Sequence, residues 1–390
     1  VSLRFNSSFS GLPTTIFEVM SGLARTHKAI NLGQGFPDSQ GPEALRRLAC
    51  DGLMAGSNQY PPMLGIPTLR AAVADHYAAH QGLVLSPEHV VVTSGATEAL
   101  AASFLALLSP GDEVIVLDPA YDAYRPLIAR AGGVGKTITL RPPHWRLEPA
   151  EIEAAITNKT RAIVLNNPMN PTGRSFSRAE LMGLANICQD HDLVAICDEV
   201  WEHVRLTDQS HVSLYGLPGM AERTVKIGSA GKMFGVTGWK VGFVCAEPNI
   251  AKVIGKAHQF LTFTTPPHLQ AAVAQALGWD KAWYDEEAQG YQAAYRVLHN
   301  GLQEQGFHVL NSEATYFMCL DLQQSGIDRP ALEFCLEAVE SYGVAAIPLQ
   351  SFYEKPKEAP PIIRLCFAKQ EAVLRDAIGR LAQARRAMVT

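Results

Sequence analysis

From about Ala44 to Leu269 the chain alternates between short β-branched runs and amphipathic stretches of helical period. The runs are Val90–Val92, Glu113–Leu117, Ala162–Leu165, Leu193–Cys197, Val225–Ile227 and Val241–Val244. Between and around them lie helical stretches at Gly65–His80, Thr97–Leu108, Arg178–Asp190 and Pro248–Gln259. That alternation predicts an α/β fold with a mostly parallel sheet flanked by helices on both faces. Ahead of it come an arm and loop around one short helix near Ile16–Ala24. After it, Trp279–Gln305 predicts one extended helix. Strand Ala314–Leu320, helix Arg329–Tyr342, strand Ile362–Phe367 and helix Glu371–Met388 follow, as a smaller α+β part. At 390 residues the chain is long for one simple core. The expected division is 1–43 for the arm and part of a small domain, 44–278 for a large domain, and 279–390 for a linker helix and the rest of the small domain.

Ligands of open α/β sheets bind outside the carboxyl ends of the strands, so the residues after each run matter most. Val90–Val92 leads into Thr93-Ser94-Gly95-Ala96-Thr97-Glu98, a glycine turn opening a helix, where free N–H groups suit a phosphate. Glu113–Leu117 leads to Tyr121, and Ala162–Leu165 to Asn166-Asn167-Pro168-Met169-Asn170-Pro171-Thr172-Gly173. Leu193–Cys197 leads to Asp198, and Val225–Ile227 to Gly228-Ser229-Ala230-Gly231-Lys232. One edge thus gathers a phosphate seat, an aromatic ring, an amide, a carboxylate and an amine. Those groups match the parts of pyridoxal phosphate: its phosphate, its ring face, its phenolic oxygen, its pyridine nitrogen and its aldehyde. Singly each residue has a plainer explanation. Asp198 suits a helix cap, Lys232 a solvated surface, Asn170 its own Asn-Pro turn, and Tyr121 the core. Their order at successive strand ends is what points to a site.

Composition narrows the rest. Charged residues make up 18% and hydrophobic ones 47%, a globular balance, with a net charge of −5 and no basic block. Neither a nucleic-acid nor a membrane partner is expected. The N-terminal Val1-Ser2-Leu3-Arg4-Phe5 lacks the apolar stretch of a signal peptide. Seven scattered cysteines without a Cys-x-x-Cys pair read as reduced packing residues of a cytoplasmic protein, and no metal site is expected. His76 and His80 stand four apart on a helix, a spacing that suits a metal pair, but a solvated helix face is the expectation. Gly132-Gly133-Val134-Gly135 has the wrong spacing for a dinucleotide loop.

The stretch Gly228-Ser229-Ala230-Gly231-Lys232-Met233-Phe234-Gly235-Val236-Thr237-Gly238-Trp239-Lys240-Val241-Gly242 resembles the lysine signature of class I pyridoxal-phosphate aminotransferases. Asn31-Leu32-Gly33-Gln34-Gly35-Phe36-Pro37-Asp38 and Asn58-Gln59-Tyr60-Pro61-Pro62 are similar to the subgroup of glutamine transaminase K, kynurenine aminotransferases and bacterial methionine aminotransferases. The resemblance runs from Ile30 to the last helix and implies fold type I, pyridoxal phosphate as cofactor, and ping-pong transfer of an amino group from an L-amino acid to a 2-oxo acid. It implies Lys232 as the Schiff-base lysine and proton shuttle, and Asp198 as the partner of the pyridine nitrogen. Asn170 would bond the phenolic oxygen, and Tyr121 would stack on the ring. The Ala96 and Thr97 backbone, Ser229 and Lys240 would hold the phosphate. It further implies that Arg364, Asn170 and the Gly35 backbone hold the substrate carboxylate and that Phe17 and Phe263 line the side-chain pocket. Tyr60 would reach the phosphate of a partner subunit and Phe263 the partner's substrate, so the active unit would be a homodimer.

Two positions depart from the family pattern. Trp201 stands where a Tyr usually donates to the phenolic oxygen, and an indole N–H donates but neither accepts nor titrates. Thr264 stands where kynurenine-type relatives often have His, which weakens a kynurenine preference. Methionine, glutamine or aromatic donors are expected, because no second arginine offers itself to a distal carboxylate. A β-lyase acting on cysteine conjugates, and a non-catalytic pyridoxal-phosphate-binding effector domain, stand as alternatives.

Overall fold

The computed structural model describes residues 3–389; Val1, Ser2 and Thr390, at the two ends of the expected arm and small domain, lie outside the described residues. In chain order the strands are β1 (Ile30–Asn31), β2 (Val90–Ser94), β3 (Glu113–Asp118), β4 (Val134–Thr139), β5 (Thr160–Asn166), β6 (Val194–Asp198), β7 (Thr224–Ser229), β8 (Val241–Cys245), β9 (His308–Val309), β10 (Phe317–Asp321), β11 (Val344–Ala345), β12 (Ile347–Pro348) and β13 (Ile362–Cys366). Seven of them form one sheet in the order β2-β8-β7-β6-β5-β3-β4. β4, β3, β5, β6 and β7 run parallel, whereas β8 is antiparallel to both β2 and β7. The central β6 and β7 are buried almost throughout, as strands covered by helices on both faces must be.

Most expected elements are present, and the exceptions have local causes. The extended helix spans Lys281–Glu304, and the helices Arg178–Asp190 and Glu371–Met388 begin and end where the sequence places them. Ser177 and Glu180 form a capping box that fixes the start of the former. β4 was not anticipated, because as an edge strand it is mostly half-exposed and lacks an apolar run. β10 starts at Phe317, not Ala314, because Thr315 adopts a left-handed φ of 65° that interrupts the extended chain. The helices Glu43–Ala55, Tyr124–Arg130, Pro149–Ala155 and Pro267–Leu277 are additional. Two smaller sheets complete the fold: β12-β13-β10-β9, and β1 paired with β11, which ties residues 30–31 to the C-terminal part. No helix among the described residues is long and apolar enough to cross a membrane. Six of the cysteines are buried and free, and Cys50 is exposed.

His76 corrects one expectation. It does not lie on a solvated face but is buried, with Nδ1 3.2 Å from the Leu277 carbonyl oxygen and Nε2 2.9 Å from His203 Nε2. Helix Pro67–Gln81 packs its His76 side on helix Pro267–Leu277, an additional element, so the stripe that faces inward could not be recognised. Burial, with His80 adding to it, lowers the His76 pKa to about 4.

Behind the carboxyl edge of the sheet lies an ion network. Lys226, on β7 and fully buried, bonds Glu199 and, at 2.7 Å, Glu202. Glu202 also accepts from Tyr77 at 2.7 Å, and Glu199 from Ser213 at 3.0 Å, with His211 at 2.9 Å. Burial disfavours every charge here. Even so, Lys226 and His211 hold Glu199 down at about 2, and the two carboxylates hold Lys226 above its ordinary value. Glu199 and Lys226 therefore remain charged at neutral pH. The network's Glu199 contribution is present above the ordinary carboxylate range and is lost as pH falls toward about 2. Replacing Lys226 by Met leaves two buried carboxylates without their shared ammonium, and the expected loss is about 3–5 kcal/mol of unfolding free energy. Urea unfolding followed by circular dichroism measures it; a change below roughly 1 kcal/mol would contradict the network's importance.

Candidate active site

A cavity of about 220 Å³ opens at the carboxyl edge of the seven-stranded sheet. Ala96, Thr97, Tyr121, Asn170, Asp198, Trp201, Ser229, Lys232 and Lys240 line it, so nine of the expected residues meet there. Asn166, Val200 and Thr237 join them. The turn after β2 depends on Gly95, whose φ of 75° disfavours any side chain, and a Cβ there would also sit 3.1 Å from Lys240 Nζ. Helix Gly95–Leu107 begins at this turn, so its first N–H groups and its positive end open toward the cavity.

Asp198 ends β6 and is buried. Its Oδ2 accepts from the Tyr124 hydroxyl at 2.6 Å and its Oδ1 weakly from the Val200 N–H at 3.5 Å, neither of them a cation. Burial pushes its carboxyl above the usual range, against the Tyr124 bond. Asn166 accepts from the Asn170 N–H at 2.7 Å and donates to the Asp198 carbonyl at 2.9 Å, tying two strand ends together.

Lys232 sits in the short helix Ala230–Met233, where the Ser229 hydroxyl accepts its backbone N–H at 3.3 Å. Its Nζ donates to the Gly35 carbonyl at 3.1 Å and to the Tyr316 hydroxyl at 3.3 Å, and lies 4.6 Å from the Trp201 ring centroid. Tyr316 in turn donates to the Gly35 carbonyl at 2.6 Å. Burial, with Arg364 and Lys240 adding positive charge, lowers the Lys232 amine to about 8.

Arg364, on β13, is fully buried. Its NH1 donates to Asn170 Oδ1 at 2.8 Å and its NH2 to the Gly33 carbonyl at 2.7 Å, while its Nε has no partner. The guanidinium carbon stands 3.9 Å from the Phe317 ring centroid and 5.2 Å from those of Phe17 and Phe352. The carbonyl that Arg364 holds is Gly33's, whereas Gly35's is engaged by Tyr316 and Lys232. Tyr60 and Phe263 do not line the cavity; their rings meet edge to face at 5.3 Å, and they are 83% and 39% exposed. Tyr124, Asn166 and Tyr316 escaped the sequence reading. Asn166 opens the quoted Asn-rich turn and so was within reach; the other two are visible only through their partners.

These groups fit pyridoxal phosphate. A buried carboxylate bonded only by neutral donors suits a protonated pyridine nitrogen, and the glycine turn suits the phosphate. An amine that loses its proton near neutral pH suits attack on an aldehyde. In cofactor-free protein, the rate of Lys232 modification by an amine reagent is expected to reach half its maximum near pH 8. A midpoint near 10.5, the ordinary lysine value, would mean that the amine is solvated.

Comparison with known proteins agrees with this geometry. The family model "Aminotransferase class I and II" matches residues 27–381. The methionine aminotransferase of Escherichia coli (strain K12) is 40% identical over 379 residues, which cover 97% of each chain. A probable N-succinyldiaminopimelate aminotransferase of Mycobacterium tuberculosis (strain H37Rv) is 41% identical over 379 residues, covering 94% of this chain and 95% of that one. Human kynurenine–oxoglutarate transaminase 1 is 35% identical over 387 residues, covering 90% and 91%. The crystal structure of the Escherichia coli enzyme for which a methionine aminotransferase function was identified superposes with a TM-score of 0.94, at 40% identity and 98% coverage of this chain and 100% of that one. The chain belongs to the class I and II aminotransferase family; it is a pyridoxal-phosphate-dependent transaminase of fold type I.

Proposed function

We propose that this transaminase takes the amino group of an L-amino acid with an uncharged side chain, methionine foremost, and passes it to a 2-oxo acid, with Lys232 and Asp198 as the catalytic residues. The observation that carries the reading is one cavity holding both a lysine amine lowered to about 8 and a buried aspartate without a cation. When bound, pyridoxal phosphate supplies an electrophilic carbon for the amine and a ring that accepts the electron pair left at the substrate Cα. Asp198, fixed by Tyr124, keeps the pyridine nitrogen protonated. The Ala96 and Thr97 backbone, Ser229 and Lys240 would hold the phosphate, Asn170 and Trp201 would serve the phenolic oxygen, and Tyr121 would serve the ring. Arg364 orients the substrate through its carboxylate, with Asn170 and the Gly35 backbone. Lys232 Nζ, once displaced by the substrate amine, takes the proton from Cα and holds it for return. Gly35 and Tyr316 give that amine two acceptors while it waits.

Phe17 and Phe352 pack at 5.7 Å beside Arg364, an apolar wall that supports an uncharged donor. The similarity to a methionine aminotransferase supports methionine in particular. We take the active unit to be a homodimer in which Tyr60 and Phe263 serve the partner's site. Their exposure, beside Phe260 at 84% and Met54 at 85%, supports an apolar face that a second copy covers. The division at 43/44 and 278/279 belongs to the same reading, supported by the pairing of β1 with β11. Six buried free cysteines support a reducing, cytoplasmic location.

Absorbance spectra of the holoenzyme before and after L-methionine test this reading. Conversion of the cofactor band to that of the pyridoxamine form is expected, and release of ammonia without amino transfer would instead indicate a lyase. Lys232→Ala is expected to abolish turnover, and near-normal turnover would refute the assignment. Asp198→Ala should retain cofactor but lose at least about tenfold in rate. Arg364→Lys loses the planar two-pronged donor and should weaken substrate capture, with kcat/KM down by roughly tenfold or more. An unchanged value would move the carboxylate site elsewhere.

A further inference from the structure

Helix Pro248–Leu261 completely buries a titratable side chain that none of the steps above employs, His258. Its Nδ1 lies 3.1 Å from both Oε1 and Oε2 of Glu98, and its Nε2 lies 3.0 Å from the Met63 carbonyl oxygen. Both ring nitrogens therefore face oxygen acceptors. A neutral imidazole has one N–H, so one of these contacts would set two lone pairs against each other in a buried place. Glu98 is engaged as an acceptor besides, its Oε2 taking the Ser94 N–H at 3.0 Å. The Thr262 hydroxyl, 3.3 Å from Nδ1, is farther than the carboxylate and can accept as readily as donate. With Glu98 ionised, only the doubly protonated ring satisfies every contact.

What these contacts join gives the charge a purpose. Glu98 stands in the first turn of helix Gly95–Leu107, whose residues Gly95, Ala96 and Thr97 line the cavity. Met63 lies three residues beyond Tyr60, and the next residue's carbonyl accepts the Val92 N–H of β2 at 3.0 Å. The His258 carbonyl accepts the N–H groups of Thr262 and Phe263 at 3.1 and 3.2 Å. Three pieces of chain thus converge on one ring: the glycine turn, the Tyr60 segment and the Phe263 turn. We propose that His258 is a buried imidazolium that acts as a positioning residue, locking the phosphate turn to the two aromatic residues that serve the partner's site. The proposal rests on the reading of the glycine turn as the phosphate seat and of the dimer as the active unit.

A charge-assisted bond to Glu98 and a second to Met63 make this link stronger than neutral hydrogen bonds would be. Burial works against the imidazolium, but the hydrogen bond and the charge of Glu98 outweigh it and raise the His258 pKa. The groups facing the ring are Glu98 from its helix, the Met63 carbonyl from the Tyr60 segment, and Thr262 and the Phe263 backbone from the turn after its own helix; of these Glu98 alone is ionisable. The sign follows. The link is complete below the ordinary histidine value and is lost as pH rises through the raised one. Cofactor retention should therefore weaken on the alkaline side.

Nitrogen-15 NMR of holoenzyme labelled at histidine tests the protonation state, with His258→Gln identifying the signals. Both ring nitrogens should carry protons at about pH 7, where an unperturbed histidine is mostly neutral. A single neutral tautomer at that pH would overturn the proposal. Glu98→Gln should return the ring to the neutral form, which keeps the test open if the glutamine variant at 258 does not fold. Pyridoxal phosphate release from His258→Gln should be roughly tenfold faster than from the unaltered enzyme, and without its alkaline acceleration. Equal release with the same pH profile would also count against it. A protein that binds no pyridoxal phosphate would defeat the cofactor reading, while the histidine signals would still report on His258.

Discussion

Asp198, Glu199, Glu202 and Lys226 lie on two adjacent strands of the sheet and the turn that follows one of them, and all four are buried. Charges withdrawn from water must find partners or shift their protonation. Three of these four do the first: Lys226 pairs with both Glu199 and Glu202, with Tyr77, Ser213 and His211 completing the bonds. Asp198, one residue before Glu199, is left with a phenol and a distant N–H. The network thus anchors the turn whose first carboxylate faces the cavity unpaired, so the fold's most secure electrostatic feature supports its least satisfied one.

The same logic reaches Lys232. Lys232 occupies a one-turn helix held by Ser229, and its amine has neutral acceptors and an indole face around it but no carboxylate contact. Gly35 and Tyr316 come from the N-terminal and C-terminal parts of the chain, whereas Lys232 follows β7 in its short helix. A lysine lowered to about 8 therefore depends on burial by chain segments far from it in sequence. Chemistry at the strand ends is in this sense a property of the packing between distant segments and not of the lysine loop alone.

Strand runs and the residues just beyond them were legible because both signals are local. A buried parallel strand needs an apolar run, and a site at its carboxyl end begins within a few residues. Hence nine expected residues meet in one cavity. Tyr124, His258 and Lys226 were not legible for a shared reason: each is defined by a partner far away in sequence. Tyr124 looks like any helical tyrosine until Asp198 lies against it, and His258 like a helix-face histidine until Glu98 and Met63 enclose it. β4 was missed because an edge strand needs no apolar run, and His76 because the helix that covers it was not foreseen.

Asp198 and Arg364, an acid and a guanidinium, are both buried and each bonded only by neutral groups. They do not neutralise each other, and Asn170, which lines the cavity with Asp198, is bonded directly to Arg364. A ligand set that satisfies both must bring a cation to one place and an anion to the other. A protonated pyridine nitrogen and a substrate carboxylate do so together, while neither alone removes both penalties. The fold therefore holds a buried acid and a buried guanidinium whose desolvation cofactor and amino acid would jointly offset. Binding of the cofactor must then stabilise the folded state, because the unfolded chain does not assemble these groups into one site.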